Sequence, residues 1–106
     1  MARILVRMLY TPKDPPGLNS AYDHLISKLF VFERIPVCNC KIILKDDAIT
    51  WIDFLNPWFD PETGIYTVDM RTSEGVERYY QGDVTELMNN VMARYKKYKW
   101  SCKKLD

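Results

Sequence analysis

Apolar and polar residues alternate along parts of this chain, which is the pattern of β-strands that bury one face. The clearest alternation covers 65–71, where Tyr66, Val68 and Met70 fall on one face with polar residues between them. Residues 2–10 are rich in Ile, Leu, Val and Tyr, the residue types that strands favour. Strands are therefore predicted over 2–10 and 65–71.

A helical period follows Ser20. Ser20 with Asp23 three residues later is a loose form of the capping box. Apolar residues then recur at the spacing of one helix face: Tyr22, Leu25, Ile26, Leu29 and Phe30. This pattern predicts a helix that ends near Phe32 or Glu33.

The middle of the chain predicts paired strands. Residues 37–44 and 49–55 are expected to form a hairpin around a turn at 45–48, and 76–81 is expected to pair back onto 65–71. The proline-rich stretch 11–17 predicts a loop.

The last helix has the strongest signal. Asp83 is predicted as its N-cap, and Glu86 three residues later completes the carboxylate variant of a capping box. One apolar stripe then covers four turns: Val84, Leu87, Met88, Val91, Met92, Tyr95 and Tyr98.

The predicted order of elements is β-α-β-β-β-β-α. Successive strands with short connections favour an antiparallel sheet. We therefore expect an α+β fold with about five antiparallel strands and two helices packed on one face. The length of 106 residues predicts a single globular domain over 1–106.

Composition is that of an ordinary globular chain, with 47% hydrophobic and 27% charged residues. The longest apolar runs are far shorter than the roughly 20 residues of a membrane helix, so no membrane association is expected. Arg7 interrupts the only apolar stretch near the N-terminus that could serve as a secretion signal. The three cysteines, an odd number, favour reduced thiols. Together these features predict a cytoplasmic location.

The net charge of +1 hides a segregation of charge along the chain. Residues 1–45 carry seven basic and three acidic side chains, 46–86 carry two and ten, and 87–106 carry six and one. A chain so close to neutral lacks the overall basic field of a dedicated nucleic-acid-binding protein, although its ends and faces can still differ in sign.

Motifs for catalysis and cofactor binding are missing. The sequence has no glycine-rich phosphate loop and no nucleophile elbow, and His24 is its only histidine. Cys38 and Cys40 are separated by one residue, whereas structural zinc sites favour two to four between the first pair of ligands. Asp53 and Asp69 could converge on a cation, but no lysine follows at a useful offset. We therefore predict no enzyme activity, no cofactor and no metal.

Aromatic and acidic residues are the first candidates for binding a partner. Trp51, Trp58 and Phe59 lie close together in the sequence, and Pro57 and Pro61 predict that Trp58 and Phe59 lie in a loop. Loop aromatics either close one end of a core or anchor a partner, and both interpretations stay open. Asp53 and Asp69 are the acidic candidates, which could meet a basic groove. The predicted partner-binding residues are Trp51, Asp53, Trp58, Phe59 and Asp69.

The C-terminal segment offers an alternative. Basic and aromatic residues interleave there, as in proteins that bind single-stranded nucleic acid. The same lysines could equally be the solvated end of a helix. The candidate nucleic-acid contacts are Lys96, Lys97, Tyr98, Lys99, Trp100, Lys103 and Lys104.

The resulting hypothesis is a small binding protein without catalysis. It would act by steric or electrostatic occlusion of a protein or nucleoprotein partner, a profile shared by small phage and mobile-element inhibitors of host defence complexes. The alternative is nucleic-acid binding through a basic, aromatic C-terminal helix. Nothing in the pattern indicates an oligomeric state.

Overall fold

A computed structural model of the chain describes residues 1–10, 24–71 and 84–104. The elements in these ranges are β1 (Ala2–Tyr10), β2 (His24–Phe32), β3 (Cys40–Ile43), β4 (Trp51–Phe54), β5 (Trp58–Asp60), β6 (Ile65–Arg71), α1 (Val84–Lys97) and β7 (Ser101–Lys104). Five strands form one sheet in the order β5-β6-β1-β2-β7, while β3 and β4 form a separate hairpin. The predicted α+β class is confirmed, with a mostly antiparallel five-stranded sheet.

The central strand of the sheet is β1, which runs antiparallel to β2 and parallel to β6. Its alternate residues are buried: Ala2, Ile4, Val6, Met8 and Tyr10. We call the face of the sheet that carries these residues the core face, and the opposite face the outer face. A strand paired on both sides can bury one complete row of side chains, and this row forms the centre of the core.

Both α1 and the β3–β4 hairpin cover the core face. Val91, Met92 and Tyr95 of α1 and Ile52 and Phe54 of β4 belong to the same buried cluster as the row on β1. Burying a side chain of this size contributes about 1.5–3 kcal/mol. The hairpin is therefore attached to the sheet by apolar packing, without joining its hydrogen-bonded ladder.

The helix predicted over 20–33 is wrong, because His24–Phe32 forms strand β2. This segment pairs along its whole length with β1, from His24 opposite Tyr10 to Phe32 opposite Ala2. Its apolar residues are spaced both two and four apart, so they satisfy the strand period as well as the helical one. The neighbouring strands decide between the two periods. The predicted cap residues of this helix lie outside the described residues.

The loop predicted around Trp58 and Phe59 is also wrong. Both residues belong to β5, which pairs antiparallel with β6 at the edge of the sheet. The connecting turn is closed by a 2.8 Å hydrogen bond from Gly64 N–H to Asp60 O, and Gly64 has a positive φ of 71° that glycine adopts without strain.

The basic C-terminal segment is not one continuous helix. Its N–H groups at Lys99 and Trp100 donate to the carbonyls of Lys96 (3.0 Å) and Tyr95 (3.1 Å), and Lys99 has a φ of 68°. This is the hydrogen-bond pattern of a Schellman motif, which ends a helix. The chain then reverses into β7, which pairs with β2.

Other predictions fare better. The strands predicted over 2–10 and 65–71 are confirmed, as is the final helix. Residues 37–44 and 49–55 form a hairpin, in which the strands are shorter than predicted. The predicted loop over 11–17, strand over 76–81 and cap at Asp83 lie outside the described residues. Across the three described ranges, no helix has the length and apolarity needed to cross a membrane.

Candidate interaction surface on the outer face

Strand register arranges the outer face of the sheet into four rows of neighbouring residues. From one end to the other they read Asp60–Ile65–Arg3–Val31, Trp58–Thr67–Leu5–Leu29, Asp69–Arg7–Ser27–Ser101, and Arg71–Leu9–Leu25–Lys103. Residues directly opposite each other on paired strands point to the same face, so each row is a line of adjacent positions. We refer to these as the first to the fourth row.

Large apolar side chains on this face are open to solvent. Leu9 is 49% exposed, Leu29 45%, Val31 56% and Trp58 54%. Single exposed apolar residues are unremarkable, but these four come from three neighbouring strands and lie on the same face of one sheet. No described element packs across this face, since α1 and the hairpin lie on the core face.

Arg7 links Trp58 and Asp69 within the outer face. Its guanidinium donates from Nε to Asp69 Oδ1 at 2.7 Å and from Nη2 to Asp69 Oδ2 at 3.0 Å. The same group lies over the Trp58 ring, 4.8 Å from the centroid. The hydrogen bond to Asp69 raises the pKa of Arg7 above its already high ordinary value. A bidentate pair fixes the guanidinium plane, so Arg7 supports one face of the indole in a defined position.

The ion pair with Arg7 reduces the negative field that Asp69 can present to a partner. Its carboxylate is neutralised by Arg7 at short range. A surface charge compensated in this way contributes little field toward a distant basic groove. Asp69 therefore positions Arg7 and Trp58, a relation that the spacing of residues 7 and 69 in the sequence does not indicate.

Trp51 and Asp53 lie on a second surface, the exposed face of the hairpin. There Lys41 is opposite Asp53 and Ile43 is opposite Trp51. The ammonium of Lys41 lies 4.9 Å from the centroid of the Trp51 ring, and the Trp51 side chain is exposed. Four of the five predicted partner-binding residues are thus divided between two surfaces, with Trp51 and Asp53 on the hairpin and Trp58 and Asp69 on the outer face.

Phe59 belongs to neither surface. It is adjacent to Trp58 on β5, so its side chain points to the other side of the sheet. Its ring lies 4.6 Å from that of Tyr66, centroid to centroid, although half of the side chain is exposed. Phe59 therefore extends the core at the edge of the sheet, whereas Trp58 remains on the outer face.

The basic C-terminal residues surround the turn between α1 and β7. Lys96, Lys97, Lys99, Lys103 and Lys104 are exposed, and Lys103 is on the outer face opposite Leu25. Trp100 is only 3% exposed and stacks edge-on against Tyr95 and Phe30. Its ring is occupied within the core, so it is not presented for stacking on a base. Tyr98 is half-buried.

Reactive groups are scattered in the part of the chain that the structure covers. No three His, Cys, Asp or Glu side chains converge there on a common point where a metal ion could bind. All three cysteines are free thiols. Burial raises the pKa of Cys102, and the nearby charge of Lys96 offsets part of that increase. Because the more stable form of this thiol is the protonated one, Cys102 is a weak nucleophile at neutral pH.

Sequence reasoning missed Arg7, Leu9, Leu29 and Val31. The available signal was in residues 2–10, where apolar residues occupy positions on both faces of the strand. A strand that is apolar on both faces is either covered on both faces or exposes one of them. The helix prediction for β2 hid the matching pattern in Leu29 and Val31.

Comparisons with protein-family models, with curated proteins and with solved structures find no match to this chain.

Proposed function

We propose that this is a non-enzymatic binding protein that occludes the surface of a protein or nucleoprotein partner with the outer face of its sheet. The observation that carries this proposal is the exposure of Leu9, Leu29, Val31 and Trp58 on one face of the sheet. Large apolar surfaces left in water mark sites where another molecule binds, because burying them there lowers the free energy.

Trp58 is the proposed anchor of the interface. Tryptophan and arginine are enriched among the residues that contribute most to binding energy. Arg7, held by two hydrogen bonds to Asp69, already restrains the indole in the free protein. Little side-chain entropy is then lost on binding, so more of the contact energy appears as affinity.

The mode of action would be steric. A face built from five strands is broad, which suits covering a partner's surface better than enclosing a small ligand. We extend the proposal to the class suggested by size and missing catalytic motifs, a cytoplasmic inhibitor of the kind that phages and mobile elements use against host defence complexes.

The test compares two substitutions of exposed apolar residues. Leu29→Glu introduces a charge in the middle of the outer face, while Val37→Glu does so at a residue that is 78% exposed and lies outside this face. Tagged wild type and both variants are incubated with nuclease-treated native extract, and retained proteins are quantified. We expect at least a tenfold loss of the stoichiometric partner for Leu29→Glu alone, since a buried unpaired charge costs more than 1.4 kcal/mol. Equal retention by all three proteins would refute the role of the outer face.

Nucleic-acid binding is the second candidate. It is favoured by the five exposed lysines around the α1–β7 turn, none of which takes part in the ion pairs seen among the described residues. With Trp100 buried, the contacts would be Lys96, Lys97, Lys99, Lys103 and Lys104 to phosphates, and Tyr98 to a base. This function requires affinity for an oligonucleotide that falls steeply with salt, by a slope of about 0.7 per phosphate contacted on single strands. Affinity that is insensitive to salt would exclude it.

A further inference from the structure

We infer that β3 pairs with β3 of a second copy of this chain, antiparallel and centred on Ile42, so that the two hairpins form one continuous four-stranded sheet. The contact uses the open edge of the β3–β4 hairpin and leaves the outer face of the main sheet free. It therefore goes beyond the function proposed above and does not depend on it.

The outer strand of the hairpin is β3. In the described part of the chain it pairs only with β4, and the hairpin does not join the five-stranded sheet. The strand β4 lies against the core, because Ile52 and Phe54 are fully buried, whereas no residue of β3 is buried. One edge of β3 is therefore left without a partner strand among the described residues.

The main chain of β3 presents unpaired groups at this edge. Leu44 N–H donates to Thr50 O at 2.9 Å, so these two residues form a hydrogen-bonded pair. Pairs with and without mutual hydrogen bonds alternate along an antiparallel ladder, and Lys41 and Ile43 belong to the second kind. Their N–H and C=O groups thus point away from β4. Within the described ranges no other main-chain hydrogen bond reaches them, and such groups are available to another strand.

The Cys40 end of the hairpin lies toward the start of β1. Phe54, opposite Cys40, packs edge-on against Tyr66 with the ring centroids 6.5 Å apart, and Tyr66 is beside Ile4 in the sheet. The described part of β1 ends at Tyr10, about 20 Å from Ile4 along the strand. The chain on both sides of the hairpin, 33–39 and 55–57, is described throughout.

Charge selects one register for pairing β3 with itself. Because only alternate residues present main-chain groups at the edge, the possible registers differ by steps of two residues. The two neighbouring registers would place Lys41 directly opposite Lys41 or Lys45 of the second copy, and like charges in opposite positions oppose pairing. The register centred on Ile42 places Lys41 opposite Ile43 instead. Two-fold symmetry repeats this contact, so one strand sequence complements itself.

The position of the Lys41 ammonium also leaves the edge open. A lysine on an edge strand normally discourages further pairing. Here Lys41 Nζ lies 4.9 Å from the centroid of the Trp51 ring, and Trp51 is on β4, the side of β3 away from the open edge. The charge is therefore drawn back from the line along which a second β3 would lie.

Both sides of the joined sheet would gain apolar contact. Ile43 is 71% exposed, and pairing brings it beside the aliphatic stem of Lys41 from the second copy. On the opposite side, Ile42 is partly buried and packs against the core cluster. The two Ile42 side chains would meet at the symmetry axis, which continues the apolar layer from one copy into the other.

The test measures self-association of the full chain by sedimentation equilibrium, with backbone amide chemical shifts recorded over the same concentrations. We expect a monomer–dimer equilibrium in which the amides of Lys41 and Ile43 shift with concentration and that of Leu29 does not. A strand of four residues makes a small interface, so we expect a Kd of about 0.1–1 mM.

Two substitutions at one exposed position test the register. Ile43→Lys places a lysine opposite Lys41 of the second copy, and Ile43→Glu places a carboxylate there, each twice by symmetry. Both variants remove the same apolar side chain. We therefore expect the Kd of the Ile43→Lys dimer to be at least about tenfold higher than that of the Ile43→Glu dimer.

A proline tests the main-chain pairing. Ile43→Pro removes an N–H that points to the open edge and is not used in the hairpin's own ladder, a position where an edge strand tolerates proline. We expect this variant to stay monomeric, while its circular dichroism and its midpoint of unfolding in urea remain close to those of the wild-type monomer.

Several outcomes would overturn the inference. These are a wild-type protein that stays monomeric up to about 1 mM, an Ile43→Glu dimer no tighter than the Ile43→Lys dimer, or a dimer that survives Ile43→Pro. Loss of the dimer in Leu29→Glu would overturn it as well, because the copies would then meet through the outer face.

The inference and the proposed function can fail separately. Ile43→Pro should leave retention of a partner from extract unchanged, since it does not alter the outer face. If Leu29→Glu has no effect on retention, the proposed function fails whether or not β3 pairs with a second copy.

Discussion

The indole Nε1 of Trp100 donates a 2.6 Å hydrogen bond to the carboxylate of Asp47, which is 53 residues earlier in the chain. The other carboxylate oxygen of Asp47 pairs with Lys28 Nζ at 2.6 Å, and Lys28 also donates to the carbonyl of Tyr98 at 2.8 Å. These contacts connect the hairpin loop, β2 and the end of α1. They supply the polar attachment of the hairpin, which otherwise depends on apolar packing.

Removing the Asp47 carboxylate should therefore destabilise the fold. The Asp47 side chain is 7% exposed, so Asp47→Ala leaves Lys28 and Trp100 Nε1 without their partner in a largely dry environment. We expect a loss of about 2–3 kcal/mol in the free energy of unfolding, measured with urea. Asp47→Asn, which keeps an acceptor for Trp100, should lose less.

Asp53→Ala is the matched control for Asp47→Ala. Asp53 has no ion pair within the described residues. Asp53→Ala should therefore lower the free energy of unfolding by less than about 1 kcal/mol. Equal losses for the two alanine variants would show that the Asp47 network does not stabilise the hairpin.

The Arg7–Asp69 ion pair on the outer face should be weaker and more sensitive to salt than the Lys28–Asp47 pair. Arg7 and Asp69 keep 33% and 55% of their side chains exposed. A double-mutant cycle of Arg7→Ala and Asp69→Ala should give a coupling of about 0.5–1 kcal/mol at low salt that largely disappears in 1 M salt. The largely buried Lys28–Asp47 pair should keep most of its coupling. An Arg7–Asp69 coupling that does not change with salt would contradict the exposed position of that pair.

If His24–Phe32 is a strand, truncating Ile26 and truncating Leu29 should have different effects on stability, whereas a helix would give similar effects. Ile26 is fully buried on the core face, whereas Leu29 is 45% exposed on the outer face. Ile26→Ala should lose about 2–5 kcal/mol and Leu29→Ala less than about 1 kcal/mol. On the helical interpretation both residues share one buried stripe, and the two losses would be similar.

Lys99 should be replaceable by glycine with a gain in stability. Its φ of 68° is strained for a side chain with a Cβ and free of strain for glycine. Lys99→Gly should raise the free energy of unfolding by about 0.5–1 kcal/mol. Lys97→Gly removes the same charge from the last turn of α1. Glycine is unfavourable inside a helix, so this variant should lower the free energy of unfolding by about 0.5–1 kcal/mol. Destabilisation by both variants would argue against the Schellman motif.

The Cys102 thiol should make stability depend on alkaline pH. Burial raises its pKa in the folded protein, so the folded state holds the thiol proton more tightly than the unfolded state does. The resulting stabilisation is complete below the unfolded pKa of about 8.5 and is lost as pH rises through the folded pKa. We expect the stability difference between wild type and Cys102→Ser to shift against wild type across this window. A difference that is independent of pH would rule out the raised pKa.

The sequence by itself determined the elements whose period is unambiguous. The strand-favouring composition of 2–10 and the alternation in 65–71 predicted strands, and the apolar stripe from Val84 to Tyr98 predicted a helix. The α+β class follows from these elements together. The sequence also identified Trp58 and Asp69 as candidate site residues, because large aromatic and charged residues are the usual means of recognition.

Tertiary structure decided the features that depend on neighbouring strands. In β2 the apolar spacing fits both periods, and pairing with β1 and β7 determined that it is a strand. The partnership of Arg7 with Asp69, and therefore the restraint on Trp58, arises because parallel pairing of β1 with β6 aligns residues 62 positions apart. Local pattern carries no information about such register. The outer face and its charge could be recognised only after the strands had been placed side by side.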